Sequence, residues 1–384
     1  HTGQKVYFEF LEPLPKQTFN MEQTDEIQDQ ISQELLHTPF ACSSISALSG
    51  GTANFVYRGI LSSTASSIII KHTKDYLASN PNFKLAATRS HFEEAVLQAL
   101  DSASPYSQDH ITVKPPRLFH FDRETHTQVL EDLPNSLNLK NYLLSEVSHG
   151  TSRASAQSLG RAIGGWLRSF HEWTIQPEQE ELTSVLNKSD VMKDLKFYIN
   201  YVMLVDTIKD FPVLLEDSRG VFEEVRDLAA AELKRQDYDD SYGIIHGDFW
   251  TGNVLIPNVP LTGQPETTLF VVDWEMSHIG IRALDLGQMI AELYEMKLFK
   301  DVEAGVWVIE GLLEGYGSLS DEIAFRTAMH VGTHLICFGT RVSGWGSQQK
   351  IEEVVKVGRD LIVHGWKKER TWFEGDTLRC LFRT

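Results

Sequence analysis

The stretch IIHGDFWTGNVLI, residues 244–256, decides how the whole chain is read. It has the apolar content of a buried strand, yet His246, Asp248 and Asn253 stand in its interior. Burying a polar group without a partner costs on the order of 2–7 kcal/mol. A strand-like segment that holds an aspartate and an asparagine therefore needs something to pair with them. The spacing is H-x-D-x-x-x-x-N. A loop after a strand can hold the Asp248 carboxylate near a substrate hydroxyl while the Asn253 amide oxygen turns toward a metal.

The second arm of the same hairpin is LFVVDWE, residues 269–275, where an apolar strand runs straight into Asp273. Glu275 lies two positions on, and in an extended chain it shares a side with Asp273. Magnesium takes oxygen ligands, commonly one or two carboxylates completed by phosphate oxygens and water. A hairpin over 244–275 that delivers Asn253 from one arm and Asp273 and Glu275 from the other suits that demand. A single acid here reads as an ordinary strand-end residue; an ordered set of four polar groups in apolar strands does not.

Nearer the start, LSGGTANFVYRG (48–59) places Gly50, Gly51 and Asn54 in a strand–turn–strand, where backbone amides can approach phosphates. Taken alone, paired glycines in a hairpin are mostly just a turn. The apolar strand SIIIKH (67–72) carries Lys71 near its end. The segment RSHFEEAVLQALDS (89–102) has helical periodicity, with Glu93 in one row with Leu97 and Leu100. An acid in that inward row needs a cation, and Lys71 is the partner that makes sense. Glu94 belongs to a neighbouring row and is the poorer candidate.

Composition sets the frame. A chain of 384 residues is too long for one ordinary core, so two domains are expected. Hydrophobic content of 42% and charged content of 23% are those of a soluble globular protein. Three distant cysteines without a CxxC pair argue for a reducing, cytoplasmic setting rather than a disulfide framework or structural zinc. No apolar run is long enough to span a membrane and no signal-peptide pattern is present, so no membrane partner is expected. The formal net charge of −18 disfavours a nucleic-acid partner and would attract a cationic small molecule. Nothing in the sequence decides between monomer and homodimer.

Coarse periodicity divides the chain near residue 131. Residues 1–131 hold a Thr/Asp-capped helix over 24–37, then strands with the one inserted helix. Residues 132–384 are mainly helical and are interrupted by the hairpin at 244–275. The expected fold class is α+β and bilobal, with a small antiparallel-sheet N-terminal lobe and a large helical C-terminal lobe.

The order of these motifs resembles the protein-kinase-like fold: Gly loop, Lys in a strand, Glu in a helix, H-x-D-x-x-x-x-N, then a strand ending in Asp. In detail it resembles the aminoglycoside phosphotransferase, choline kinase and methylthioribose kinase branch. His246-Gly247-Asp248 stands where protein kinases have HRD, Asp273-Trp274-Glu275 stands for DFG, and no APE segment follows. Within the branch the chain is most similar to the fungal 4-hydroxytryptamine kinases, through SIIIKH, FWTGNVLI, DWEMSHIGIRALDLGQM and the GWGSQQ region.

The resemblance implies an ATP- and Mg²⁺-dependent kinase that phosphorylates a hydroxyl of a small molecule. Asp248 would be the catalytic base, and Asn253, Asp273 and Glu275 the metal ligands. Lys71, held by Glu93, would pair the ATP phosphates, beneath a loop of Gly50, Gly51 and Asn54. Main-chain groups of Glu131 and Leu133, in VLEDL, would take the adenine edge. Asp285 would brace the catalytic loop, with a helix N-cap as the plainer alternative. For the acceptor, CFGTRVSGW (337–345) has Arg341 but Thr340 where methylthioribose kinases carry a second arginine. That departs from a methylthioribose site. Trp250, Trp274, Arg341 and Trp345 are the candidate acceptor residues, since aromatic walls suit a planar or cationic acceptor. Core packing of the tryptophans is the alternative. A hydroxytryptamine-like or amino-alcohol acceptor is expected; the rivals are a methylthioribose or aminoglycoside kinase, or a pseudokinase that only binds.

Overall fold

The structure, a computed structural model, describes residues 21–48, 52–235, 239–341 and 344–382. Two compact units emerge: residues 1–103 with 115–134, and residues 104–114 with 135–384. One cut near residue 131 therefore does not describe the chain. The sequence reading assigned no element to 103–114. The segment instead forms the strands Tyr106–Gln108 and Ile111–Lys114, which enter the sheet of the second unit.

The first unit is built on a five-stranded antiparallel sheet that runs Cys42–Ala47, Phe55–Leu61, Ser67–His72, Thr127–Glu131, Leu118–Asp122. One face is covered by the helix Met21–Leu35, whose Ile27, Ile31 and Leu35 pack with Tyr57, Ile68, Ile70 and Val129. These side chains recur at i, i+4 and i+8, one stripe of a helix. Leu36, expected with them, is 53% exposed because the helix has ended before it. Strand alternation sends Lys71 and its cross-strand neighbour Gln128 to the other face, where the helix Arg89–Leu100 lies. Gln128 Nε2 donates to the carbonyl of Ser90 in that helix.

The second unit has a mixed sheet, in the order Ser136–Asn138, Val254–Pro257, Thr267–Val271, Ile111–Lys114, Tyr106–Gln108. Val254–Pro257 and Thr267–Val271 pair antiparallel, as the hairpin motif predicts, and Thr267–Val271 runs parallel to Ile111–Lys114. Tyr242–Ile245 leaves this sheet and pairs with His278–Ile281. The stretch that reads as one strand is thus two short strands with a polar loop and a single 3₁₀ turn, Thr251–Asn253, between them. Helices make up the rest, and Ala283–Lys300 is buried nearly all round. Among the described residues no helix is long and apolar enough to cross a membrane.

Arg153–Trp173 and Glu303–Tyr316 pack with their backbones in contact, an approach that needs glycine. A Cβ on Gly164 would stand 1.9 Å from the carbonyl oxygen of Leu312. Gly164→Ala is expected to cost at least about 1–3 kcal/mol through overpacking. Urea denaturation followed by far-UV circular dichroism measures this; an unchanged midpoint would mean the helices separate without penalty.

Candidate active site

In the first unit Lys71 is no solvated strand end. Its Nζ bonds both carboxylate oxygens of Glu93, at 3.0 and 2.8 Å, and both residues are buried. Removing one partner of such a pair leaves a charge uncompensated, at a cost of about 3–5 kcal/mol. Glu94 is buried as well, and its carboxylate pairs with Arg123 at 2.8 Å. Gly50 and Gly51 lie outside the described residues. Asn54 is buried and its Oδ1 accepts from Arg89 Nη2 at 2.9 Å, so this side chain serves to hold a buried arginine. Glu131 ends the strand Thr127–Glu131. Its N–H donates to the Arg117 carbonyl and its carboxylate accepts from the Arg117 N–H. Leu133 follows, half-buried, two residues past the strand.

In the second unit the loop that follows Tyr242–Ile245 hangs on Asp285. Its carboxylate accepts from the backbone N–H of His246 (2.9 Å) and of Gly247 (3.0 Å), and from His171 Nε2 (3.1 Å). Burial alone would raise the Asp285 carboxyl, but these bonds and the neighbouring imidazoles hold it below its ordinary value. Asp285 sits in the first turn of Ala283–Lys300 rather than at its N-cap, which is Arg282. The bracing role is the one observed. Gly247 has φ +80°, a conformation that favours glycine, and a Cβ there would stand 2.2 Å from the Met276 carbonyl oxygen. His246 is fully buried and burial lowers its pKa. Its Nε2–H donates to the Val272 carbonyl, so Nδ1 is left to accept the Asp248 N–H at 3.2 Å.

These constraints fix Asp248. Its Oδ2 accepts from Asn253 Nδ2 at 3.0 Å, and its Oδ1 from Gln288 Nε2 at 2.7 Å. Asn253 Nδ2 also donates to the Asp248 carbonyl at 2.9 Å. With its amide nitrogen so committed, Asn253 has its Oδ1 left for a cation. Asp273 follows directly on the strand and Val272, in a left-handed conformation (φ 68°, ψ 65°), and it brings its carboxylate within 4.8 Å of that of buried Glu275. A left-handed aspartate is strained by roughly 1–3 kcal/mol, and two approaching carboxylates repel. An all-oxygen donor set of this kind fits a hard divalent cation.

The four acceptor candidates separate. Trp274 is fully buried, packed against Trp166, Phe170 and His246, and its Nε1 donates to the Val271 carbonyl. It is core. Arg341 faces the 203–207 segment, with Nη2 3.3 Å from Thr207 Oγ1 and Nη1 3.8 Å from Met203 Sδ. Trp250 and Trp345 do come together, around a residue not singled out from sequence. Lys140 Nζ lies 5.6 Å from the Trp250 ring centroid and 4.1 Å from that of Trp345.

The same ammonium bonds Glu292 at 2.8 Å, and Glu292 also accepts from His334 Nε2 at 2.9 Å. Burial would raise the Glu292 carboxyl, but His334 and Lys140 bring it down to about 2. Glu295, one helical turn on, is wholly buried, and neither of its carboxylate oxygens has a hydrogen-bond partner among the described residues. Burial and the charge of Glu292 push its carboxyl well above the ordinary value. Acids spaced i, i+3 in the otherwise apolar run LGQMIAELYEM were the signal that sequence reasoning passed over. Lys140, in a short amphipathic helix, carried no such signal.

Residues 45–321 match the sequence profile of the APH phosphotransferase enzyme family. The chain is 32% identical over 363 residues to the phosphotransferase FrzJ of Cladobotryum sp, covering 91% of this chain and 94% of that one. It is 23% identical over 350 residues to the 4-hydroxytryptamine kinase of Psilocybe cyanescens, covering 89% and 92%. A methylthioribose kinase of Enterobacter sp. (strain 638) matches at 23% over 265 residues, covering 67% of this chain and 61% of that enzyme. With the sheet-then-helix order of the two units, the fold is α+β.

Glu295 generates a stability prediction. The unfolded chain loses this proton near pH 4.3, whereas the folded chain retains it until well above that value. Folded stability is therefore fully present at low pH and falls as pH rises toward the folded pKa. Glu295→Gln cannot ionise, so its melting temperature should gain on the parent between pH 4.5 and pH 8. A constant difference across that range would place the Glu295 carboxyl at an ordinary pKa.

Proposed function

This chain belongs to the phosphotransferase enzyme family, and on that premise we propose that it transfers the γ-phosphoryl group of ATP, with Mg²⁺, to the hydroxyl of a small molecule that also carries an amine. The observation that carries the acceptor class is the surroundings of Lys140. A protein ammonium already rests there between two indole faces and a carboxylate, an environment that stabilises cations by about 0.5–2 kcal/mol per aromatic face. Glu292 is satisfied by Lys140 and His334, while the buried Glu295 still lacks a partner among the described residues and is the group left to meet an incoming ammonium. The cage is joined to the catalytic loop, since Trp250 and Thr251 follow Asp248 closely and Thr251 Oγ1 lies 3.5 Å from Glu292. The relatives that phosphorylate 4-hydroxytryptamine by name agree with an acceptor holding both groups.

Asp248 receives the acceptor hydroxyl. Each of its oxygens accepts one hydrogen bond from Asn253 or Gln288, so lone pairs remain for the hydroxyl proton. Phosphoryl transfer depends chiefly on positioning and charge, so the carboxylate orients the hydroxyl and takes its proton as the new bond forms. Asn253 Oδ1, Asp273 and Glu275 would hold the magnesium, which when bound neutralises charge on the phosphates. Lys71, kept in place by Glu93, pairs the nucleotide phosphates, Gly50 and Gly51 are further candidates to meet them, and the Glu131 and Leu133 main chain takes the adenine. The cytoplasm, where MgATP is abundant, suits this activity.

ATP consumption against hydroxytryptamines, choline, amino alcohols, methylthioribose and aminoglycosides tests the reading. Turnover is expected with hydroxylated amines, to be lost in Asp248→Ala and to fall sharply when the same acceptor is N-acetylated. Turnover of methylthioribose alone would remove the amine from the proposal, and absence of nucleotide binding would leave a binding module. Asp273→Ala should abolish the Mg²⁺ dependence of ATP affinity in calorimetric titration. An unchanged dependence would take Asp273 out of the metal site.

A further inference from the structure

Asp248 is held from behind by a side chain that itself depends on a buried charge. Gln288, in the helix Ala283–Lys300, is 6% exposed and donates from Nε2 to Asp248 Oδ1. Its Oε1 accepts from Lys196 Nζ. Lys196 lies near the end of the helix Asp190–Phe197 and is 3% exposed. No carboxylate among the described residues pairs with its ammonium within 4.0 Å. An ammonium buried without a direct counter-ion is costly, and burial lowers its pKa while Asp248 and Asp285 act to raise it. The acid it serves therefore lies one residue away, across the Gln288 amide.

We propose that Lys196 and Gln288 form a positioning relay that fixes the rotamer of the Asp248 carboxylate for phosphoryl transfer. The argument is one of donor polarity. A primary amide can present either its oxygen or its NH₂ group to a neighbour. An ammonium can only donate, so Lys196 requires the Gln288 oxygen and thereby turns the NH₂ group toward Asp248. Without Lys196 the amide is free to flip and to set its oxygen against the carboxylate. Asn253 would then hold Asp248 through Oδ2 alone, and the carboxylate could swing about that one bond. Neither Lys196 nor Gln288 touches the reacting atoms in this assignment; both act through Asp248.

The inference rests on the assignment of Asp248 to the acceptor hydroxyl, and the test separates the two. Steady-state kinetics are measured with MgATP and 4-hydroxytryptamine, and with MgATP and water alone as the acceptor. Lys196→Met is expected to lower kcat by about 10²-fold, the scale of a small misplacement of a reacting group, with KM for ATP unchanged. Gln288→Glu keeps the shape and the acceptor for Lys196 but faces Asp248 with a carboxylate, so it should fold like the parent and lose kcat similarly. It carries the test alone if Lys196→Met does not fold. Lys196→Met combined with Gln288→Leu should lose no more than the worse single variant, since one relay is broken only once. If the single variants keep parental kcat while Asp248→Ala abolishes it, the relay is overturned and the role of Asp248 stands. Raised KM values with kcat intact, or losses that simply multiply in the double variant, also overturn the relay by marking separate structural roles. Turnover that survives Asp248→Ala overturns both, as does a parental protein that transfers to neither acceptor.

Discussion

The Asp285 carboxylate is the constraint on which the second unit's chemistry depends. One buried acid satisfies the amides of His246 and Gly247 and the imidazole of His171, three groups from two other segments. Backbone amides in a buried loop must find acceptors, and here no strand supplies them. Once they are tied to the first turn of Ala283–Lys300, the left-handed Gly247 sets the direction in which Asp248 leaves the loop. The neutral His246, locked by Val272 on one side and the Asp248 N–H on the other, removes the remaining freedom.

The same helix supplies three functions along its length. Asp285 holds the loop, Gln288 holds the Asp248 carboxylate, and Glu292 with Glu295 borders the Trp250–Trp345 cage. This is possible because the helix is buried on nearly every side, so polar groups on different faces each meet a different part of the site. Such a helix bears unusual electrostatic strain. Glu292 is held low by Lys140 and His334, whereas burial and the charge of Glu292 push the Glu295 carboxyl well above its ordinary value. Strongly shifted carboxyls of this kind cluster at functional sites.

The hairpin, the Lys71–Glu93 pair and the role of Asp285 were readable from residue type and spacing. Each is a polar residue placed in an apolar pattern, and such a residue announces a partner. Trp274 reads from sequence equally as a wall or as core, and its burial against Trp166, Phe170 and His246 makes it core. The strands Tyr106–Gln108 and Ile111–Lys114 were missed because a short edge ladder within polar sequence has no strong period of its own. Their parallel partner, Thr267–Val271, lies more than 150 residues away by the numbering.

By itself the sequence determined the family, the α+β order and the identities of the residues proposed to move the phosphoryl group. Those depend on local patterns: Asp and Asn in an apolar run, an acid in an inward helical row, a lysine near a strand end. Only the tertiary structure decided what stands behind and beside them. Lys140, Lys196, Gln288 with Glu295, and Trp345 come from four separated stretches of chain, and of these residues only Trp345 was singled out from sequence. Their meaning arises where helices pack, because a buried ammonium or carboxyl takes its charge state and its partner from neighbours that sequence distance does not reveal.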